Sequence, residues 1–307
     1  MRWYMKVAAF HVLSALPGGG WLYRFAQDHI TKGLVPTRPG VQQKIDVGLQ
    51  YWKWLRDHQH TALMNGGTHV DLGTGWHPTI PLLYHSLGVD RQYLLDVVPL
   101  FDAKLLMDTT RVVREILTDP HCPIRDQIRR IPEQPILSNE QIPAWLATLG
   151  MHYEAPCENA GQTLQGRADV VTSTQALLHA DRASLERSFR AVHTALKPGG
   201  LFIATIHLKD LYANFDRGIT HYNHLKFSPW VWEHVVNSPL MPFNRLKARD
   251  YREMLERAGF VLEAFEVEGP TEADLRLLES VRIHKSFSRY TREELAAKHL
   301  FFVARKP

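Results

Sequence analysis

Asp71, Gly73, Gly75 and Asp96 are the residues whose types and spacing best fit chemistry in this chain of 307 residues. The run His69-Val70-Asp71-Leu72-Gly73-Thr74-Gly75-Trp76-His77-Pro78 reads as a buried strand breaking into a tight glycine turn. A helix opened by Pro78 follows, with Ile80, Leu83 and Leu87 at helical spacing. The two glycines permit positive φ and leave no Cβ in the way of a ligand. The helix N-terminus behind them offers free N–H groups. A second apolar strand, Tyr93-Leu94-Leu95, ends in Asp96, placed to accept from a pair of ribose hydroxyls. The third glycine of the dinucleotide fingerprint is missing from Gly73-Thr74-Gly75-Trp76-His77-Pro78, and no phosphate-binding Lys-Ser/Thr pair follows. The acid before the first glycine, Asp71, fits instead a cationic amino-acid moiety.

Positioning these residues requires strands that alternate with helices. Strand, helix, strand, helix spans residues 66–118, with the last helix from about Phe101 to Leu117. A loop rich in Pro and charge runs from Asp119 to Pro135, and Asn139 to Leu149 returns to helix. Further strands are expected at Met151–Glu154, Asp169–Ser173 and Leu201–Leu208, with a helix from about Ala183 to Leu196. This alternation predicts an α/β fold with a parallel sheet and helices on both faces. Ligands then sit beyond the carboxyl ends of the strands, which gathers Gly73, Asp96, Ala155, Ser173 and His207 at one edge. Residues 1–60 read as a helical cap, broken at Gly18-Gly19-Gly20 and continued by a helix from Val41 to His58. Residues 209–246 interrupt the alternation with a crowd of aromatics, histidines and prolines. Val261–Val267 and His299–Ala304 read as two closing strands, an antiparallel hairpin at the sheet edge.

Asp71-Leu72-Gly73-Thr74-Gly75 resembles the first motif of the class I S-adenosylmethionine-dependent methyltransferases. Asp96 matches the family's acid at the end of the second strand. Ala168-Asp169-Val170-Val171-Thr172-Ser173-Thr174-Gln175 looks like its fourth strand, and Leu196-Lys197-Pro198-Gly199-Gly200-Leu201-Phe202-Ile203 like its turn into the fifth. The four matches stand in the right order over residues 60–205. His77 departs from the pattern, standing where many members have a glycine or small residue. The resemblance implies a Rossmann-like, mostly parallel seven-stranded sheet in a methyltransferase domain at residues 61–307. It implies S-adenosylmethionine as cosubstrate, with Asp71, Gly73, Thr74 and Gly75 on its methionine part. Asp96 and Val97 would lie at the ribose, the third-strand exit from Ala155 and Pro156 to Asn159 at the adenine, and Ser173 at the end of strand four.

Methyl transfer from a sulfonium is an in-line displacement, and an oxygen nucleophile wants a base. His207, ending strand five, and His224 are the first and second candidates, ahead of His179 and His221; imidazole titrates near neutrality. In the resembled family a histidine at the position of His179 is structural. The aromatic insert is the expected acceptor site, with Tyr222, Lys226, Trp230 and Arg245 as substrate contacts. Its runs Tyr222-Asn223-His224-Leu225-Lys226-Phe227 and Asn244–Tyr251 are similar to bacterial methyltransferases of glycan gene sets. The expected reaction is O-methylation of a sugar, glycan or hydroxylated secondary metabolite. The alternatives are N- or C-methylation, including of a lipid-linked acceptor, and a non-catalytic methyltransferase-like partner subunit.

Composition bounds these readings. The 36 Lys+Arg against 32 Asp+Glu give a formal charge of +4 from scattered residues, a poor match to the concentrated patch of a nucleic-acid binder. A base-flipping Asn-Pro-Pro-Tyr/Phe motif is absent where strand four ends. Two distant cysteines, Cys122 and Cys157, indicate free thiols in a reducing, cytoplasmic setting, and the acids form no metal constellation. No apolar run reaches membrane-spanning length. The stretch Val7–Leu16 behind Arg2 and Lys6 reads as a short amphipathic helix rather than a signal peptide, with membrane contact through Trp3, Tyr4 and Phe10 as the minority reading.

Overall fold

The computed structural model describes residues 2–16, 34–157 and 160–307. The triple glycine at 18–20, Trp21, Tyr23 and Asn159 lie outside the described residues. Seven strands form one sheet: β1 (Thr68–Leu72), β2 (Arg91–Leu95), β3 (Met151–Glu154), β4 (Ala168–Thr174), β5 (Leu196–His207), β6 (Val261–Val267) and β7 (His299–Arg305). Their order is β3-β2-β1-β4-β5-β7-β6. β1 pairs in parallel with β2 and β4, placing Asp71 beside Leu94 and Thr172; β2 pairs in parallel with β3. β7 runs against β5, since Lys306 bonds to Gly199 and Gly200 at one end while Leu208 bonds to Lys298 at the other.

The chain divides into two compact units. One comprises residues 33–176, 190–203 and 303–307. In it, Thr37 caps α2 (Arg38–Asp57), whose buried Val41, Ile45, Gly48, Tyr51, Trp52 and Leu55 recur at helical spacing. Gly48 allows a close approach to α3 (Thr79–Ser86): a Cβ there would fall 2.9 Å from Leu83. Tyr84 donates to the Gly48 carbonyl, tying the two helices at that point. Asp102 caps α4 (Ala103–Leu117), and α5 (Ile142–Thr148) leads into β3. Pro78 precedes α3, which starts at Thr79.

The other unit comprises residues 1–32, 177–189 and 204–302. It holds α1 (Trp3–Ala15), the segment after β5 and α7 (Ala248–Arg257); α6 (Arg182–Ala195) begins in it. The two closing strands are sheet neighbours at the edge, as expected, but no tight hairpin joins them. Residues 268–298 intervene and carry α8 (Glu272–Glu279) and α9 (Arg292–Ala296). The excursion covers apolar side chains of the segment after β5. Tyr222 and Leu225 from that segment share a core with Leu278, Val281, Phe287, Leu295 and Ala296. β5 also departs from the reading, starting at Leu196 rather than Leu201. Lys197-Pro198-Gly199-Gly200 is strand, held by the pairing of Gly199 and Gly200 with Lys306.

Candidate functional site

In the first unit the turn after β1 is built as the sequence implies, with different work for its two glycines. Gly73 has φ +76° and donates to the Leu95 carbonyl at 2.7 Å. A Cβ on it would fall 2.2 Å from that of Ala176, so this glycine is required by packing. Gly75 has φ +73°, and a Cβ there would meet nothing within 4 Å. Its bare side faces open space. Thr74 Oγ1 donates to the Asp71 carbonyl at 3.2 Å and Ser173 Oγ to the Leu72 carbonyl at 2.9 Å. Both residues brace the turn from behind.

Asp96 stands beside this space, while Asp71 is buried, with Oδ1 2.9 Å from Thr172 Oγ1. The Gly75 N–H donates to both oxygens of Asp96, at 3.1 and 3.3 Å. Burial pushes the Asp96 carboxyl up to about 7, against the pull of that hydrogen bond. Burial likewise raises the Asp71 carboxyl, while His69, Thr172, Thr74 and Lys44 hold it down. Lys44 was not singled out by sequence. It lies on α2, one turn before Gly48, and its charge is felt by both Asp71 and Asp96. Burial lowers its own pKa and the two acids raise it. The available signal was a cation directly beside the apolar stripe position Ile45. His77, the departure from the family pattern, has Nδ1 2.8 Å from Thr109 Oγ1, and burial lowers its pKa to about 4.

The exit of β3 reaches the same place. Asp96 N–H donates to the Glu154 carbonyl at 3.1 Å, and Cys157 N–H to the Asp96 carbonyl at 3.0 Å, which brings Ala155 and Pro156 alongside. Tyr153 stacks on Phe101, centroids 3.9 Å apart, and its hydroxyl accepts from the Leu100 N–H at 2.9 Å and donates to the Val98 carbonyl at 3.4 Å. This aromatic pair beside the acid also escaped the sequence reading. Val97 is 78% exposed.

The proposed base and acceptor residues belong to the second unit. His207 Nδ1 lies 2.7 Å from His299 Nδ1, so one ring donates and the other accepts. His299 Nε2 is 3.6 Å from Glu268. Burial, then His299 and Lys209, lower the His207 pKa to about 4. His224 is 1% exposed, its Nε2 3.2 Å from the buried Lys247 ammonium. His179 Nδ1 meets the Pro242 carbonyl at 2.6 Å. Tyr222 is buried and donates to the Ala296 carbonyl at 3.0 Å. Arg245 donates to the carbonyls of His224 and Phe227 and lies over the rings of Trp232 and Phe287. Tyr222 ties the insert to residues 268–298, and Arg245 holds the insert's own backbone. Lys226 and Trp230 are exposed, with Trp230 stacked on His234. Among the described residues, no group of three or more His, Cys, Asp or Glu side chains could hold a metal ion.

A family model described as a methyltransferase domain matches residues 50–264. No curated protein matches the sequence. Among solved structures, an S-adenosylmethionine-dependent methyltransferase from Mesorhizobium loti is 18% identical, with 78% of this chain and 91% of that chain covered and a TM-score of 0.40. One from Methanosarcina mazei is 14% identical over 80% of this chain and 95% of that one, with a TM-score of 0.44. A geranyl diphosphate methyltransferase in complex with S-adenosylmethionine is 13% identical over 79% of both chains, with a TM-score of 0.38.

Proposed function

The chain belongs to the methyltransferase-domain family, the class I S-adenosylmethionine-dependent enzymes, and from that premise we propose that it O-methylates a small hydroxylated molecule. The acceptor class we favour is a sugar, a glycan or a hydroxylated secondary metabolite. The observation that carries the cosubstrate site is the open space beside Gly75, whose N–H holds Asp96, with the charges of Asp71 and Lys44 acting on that acid. That set is complementary to a ribose diol, an ammonium and a carboxylate on one molecule. Asp96 would accept from the ribose hydroxyls, Asp71 face the ammonium, and Lys44 hold the carboxylate. Tyr153 and Phe101 would flank the base with Ala155 and Pro156. S-adenosylmethionine, when bound, supplies an electrophilic methyl group on a sulfonium.

Of the two histidines we assign the base to His207. His224 is enclosed beside a lysine, where gaining a proton would set two cations together. His207 is neutral above its lowered pKa, and the Nδ1 contact with His299 orients its ring. The aromatic insert after β5 supports recognition of flat or sugar-like acceptors. Calorimetric titration with S-adenosylmethionine and S-adenosylhomocysteine tests the site. Micromolar binding, lost in Asp96→Ala, is expected. Failure to bind either would favour a non-catalytic, partner-dependent subunit. Full activity of His207→Gln on an identified acceptor would favour methylation at nitrogen.

A further inference from the structure

Four buried side chains behind the glycine turn form a hydrogen-bonded line that needs one proton more than their ordinary charge states supply. Gln92 Nε2 donates to the Pro81 carbonyl at 2.9 Å, and Gln92 Oε1 lies 2.9 Å from His69 Nδ1. His69 Nε2 lies 2.8 Å from Thr172 Oγ1, which lies 2.9 Å from Asp71 Oδ1. Register places the line there: His69 stands beside Gln92 across β1 and β2, and Asp71 beside Thr172 across β1 and β4.

One end fixes the polarity. The Pro81 carbonyl can only accept, so the amide nitrogen of Gln92 faces it and the amide oxygen faces His69. Reversing the amide would set two oxygens 2.9 Å apart. His69 Nδ1 therefore carries a hydrogen. Two contacts remain, Nε2 to Oγ1 and Oγ1 to Oδ1, and each needs a hydrogen. Thr172 has one. The other sits on His69 Nε2, giving an imidazolium opposite a carboxylate, or on Asp71, leaving both groups neutral. A neutral imidazole with an ionised Asp71 would leave two lone pairs facing each other in a buried site.

We propose that His69 and Asp71 share this single proton through Thr172, and that it rests on Asp71 in the ligand-free chain and passes to His69 when the cosubstrate's ammonium arrives. The inference rests on the methyltransferase reading. In the transfer Asp71 gives its hydrogen to Thr172 Oγ1 while the hydroxyl's own hydrogen passes to His69 Nε2. Two neutral groups become a carboxylate and an imidazolium, and no proton is exchanged with solvent. Burial favours the neutral resting state, raising the carboxyl and lowering the imidazole. The other groups facing the line are Lys44 and Tyr51 from α2, Tyr84 from α3 and Asp96 at the end of β2. The Tyr84 ring lies 4.8 Å from that of His69, and burial keeps its phenol neutral. His69 is thus a positioning residue: it lets a buried Asp71 turn anionic only when a cation is present to meet it.

The test is heteronuclear NMR on isotope-labelled chain at pH 7, free and with S-adenosylhomocysteine, saturation being checked by calorimetry on the same sample. In the free chain the Asp71 carboxyl is expected protonated, with His69 carrying hydrogen on Nδ1 alone. In the complex Asp71 is ionised and His69 Nε2 gains a hydrogen. Thr172→Val, which deletes only the hydroxyl link, should leave Nε2 bare in the complex and weaken binding about tenfold. An ionised Asp71 in the free chain overturns the proposal whether or not ligand binds. So does a His69 ring unchanged by bound ligand. A chain in which Asp71 is protonated but no ligand binds fails the methyltransferase reading instead, and the ligand-driven transfer with it.

Discussion

Replacing each glycine of the turn by alanine separates packing from ligand binding, because the two added methyl groups meet different surroundings. Both positions have left-handed φ, +76° at Gly73 and +73° at Gly75. An L-residue there costs about 1–2 kcal/mol. At Gly73 the new Cβ would also lie 2.2 Å from that of Ala176, an atom fixed to backbone. Relieving such a clash costs a further ~1–3 kcal/mol. Gly73→Ala should therefore destabilise the chain by roughly 2–5 kcal/mol in all. At Gly75 the Cβ meets nothing within 4 Å, so only the conformational cost applies to the ligand-free chain. The same methyl would occupy the space assigned to the cosubstrate. An overpacking cost of ~1–3 kcal/mol then weakens binding by about five- to 150-fold. Thermal melts and calorimetry with S-adenosylhomocysteine read the two effects apart. Gly75→Ala should melt a few degrees below the parent and bind weakly; Gly73→Ala should melt much lower. Unchanged affinity in Gly75→Ala would refute the assignment of that space to ligand.

Lys44→Met should weaken S-adenosylhomocysteine at least tenfold while leaving 5′-methylthioadenosine, which lacks the amino-acid portion, unaffected; equal losses for both in parallel titrations would remove Lys44 from the carboxylate. Asp96 carries a pH signature: its folded pKa, about 7, lies above the unfolded value, so its contribution to stability is present below pH ~4 and lost as pH rises to about 7. Asp96→Asn should accordingly melt above the parent at pH 8, show no such advantage at pH 4 and bind no cosubstrate; a lower melting point at pH 8 would contradict the buried, strained carboxylate. In the second unit the buried Asp250 accepts from Arg182, Arg289, Tyr290 and the Lys247 N–H, so Asp250→Ala should cost about 1–3 kcal/mol in denaturant unfolding through the lost hydrogen bonds, and no measurable loss would show the network to be solvated. His299→Phe should lower kcat on an identified acceptor with little change in KM and shift the acid limb of the pH profile, whereas a proportional rise in KM alone would mark His299 as a mere packing residue.

Sequence by itself determined the parts of this protein that depend on local chemistry. Positive φ at two closely spaced positions demands glycine, so Gly73 and Gly75 announce the turn, and period and length of the apolar runs announce β1, β2 and β4 with the helices between them. Asp96 is legible because a strand of known length must end where its acid stands. Tertiary structure decided what depends on which distant residues meet. Lys44 comes within the electrostatic range of Asp71 and Asp96 where α2 packs closely on α3 at Gly48, and the residue alone does not say which acids it will meet. The different work of the two glycines lies in Ala176, far along the chain. Tyr222 reads as an acceptor contact because an aromatic ring suits both ligands and cores, and only residues 268–298, packed against it, decide its burial, whereas the half-buried Arg245 is held by the carbonyls of His224 and Phe227 and the rings of Trp232 and Phe287. The proton shared by His69 and Asp71 is likewise invisible in one dimension, since it exists only where parallel register sets three strands side by side.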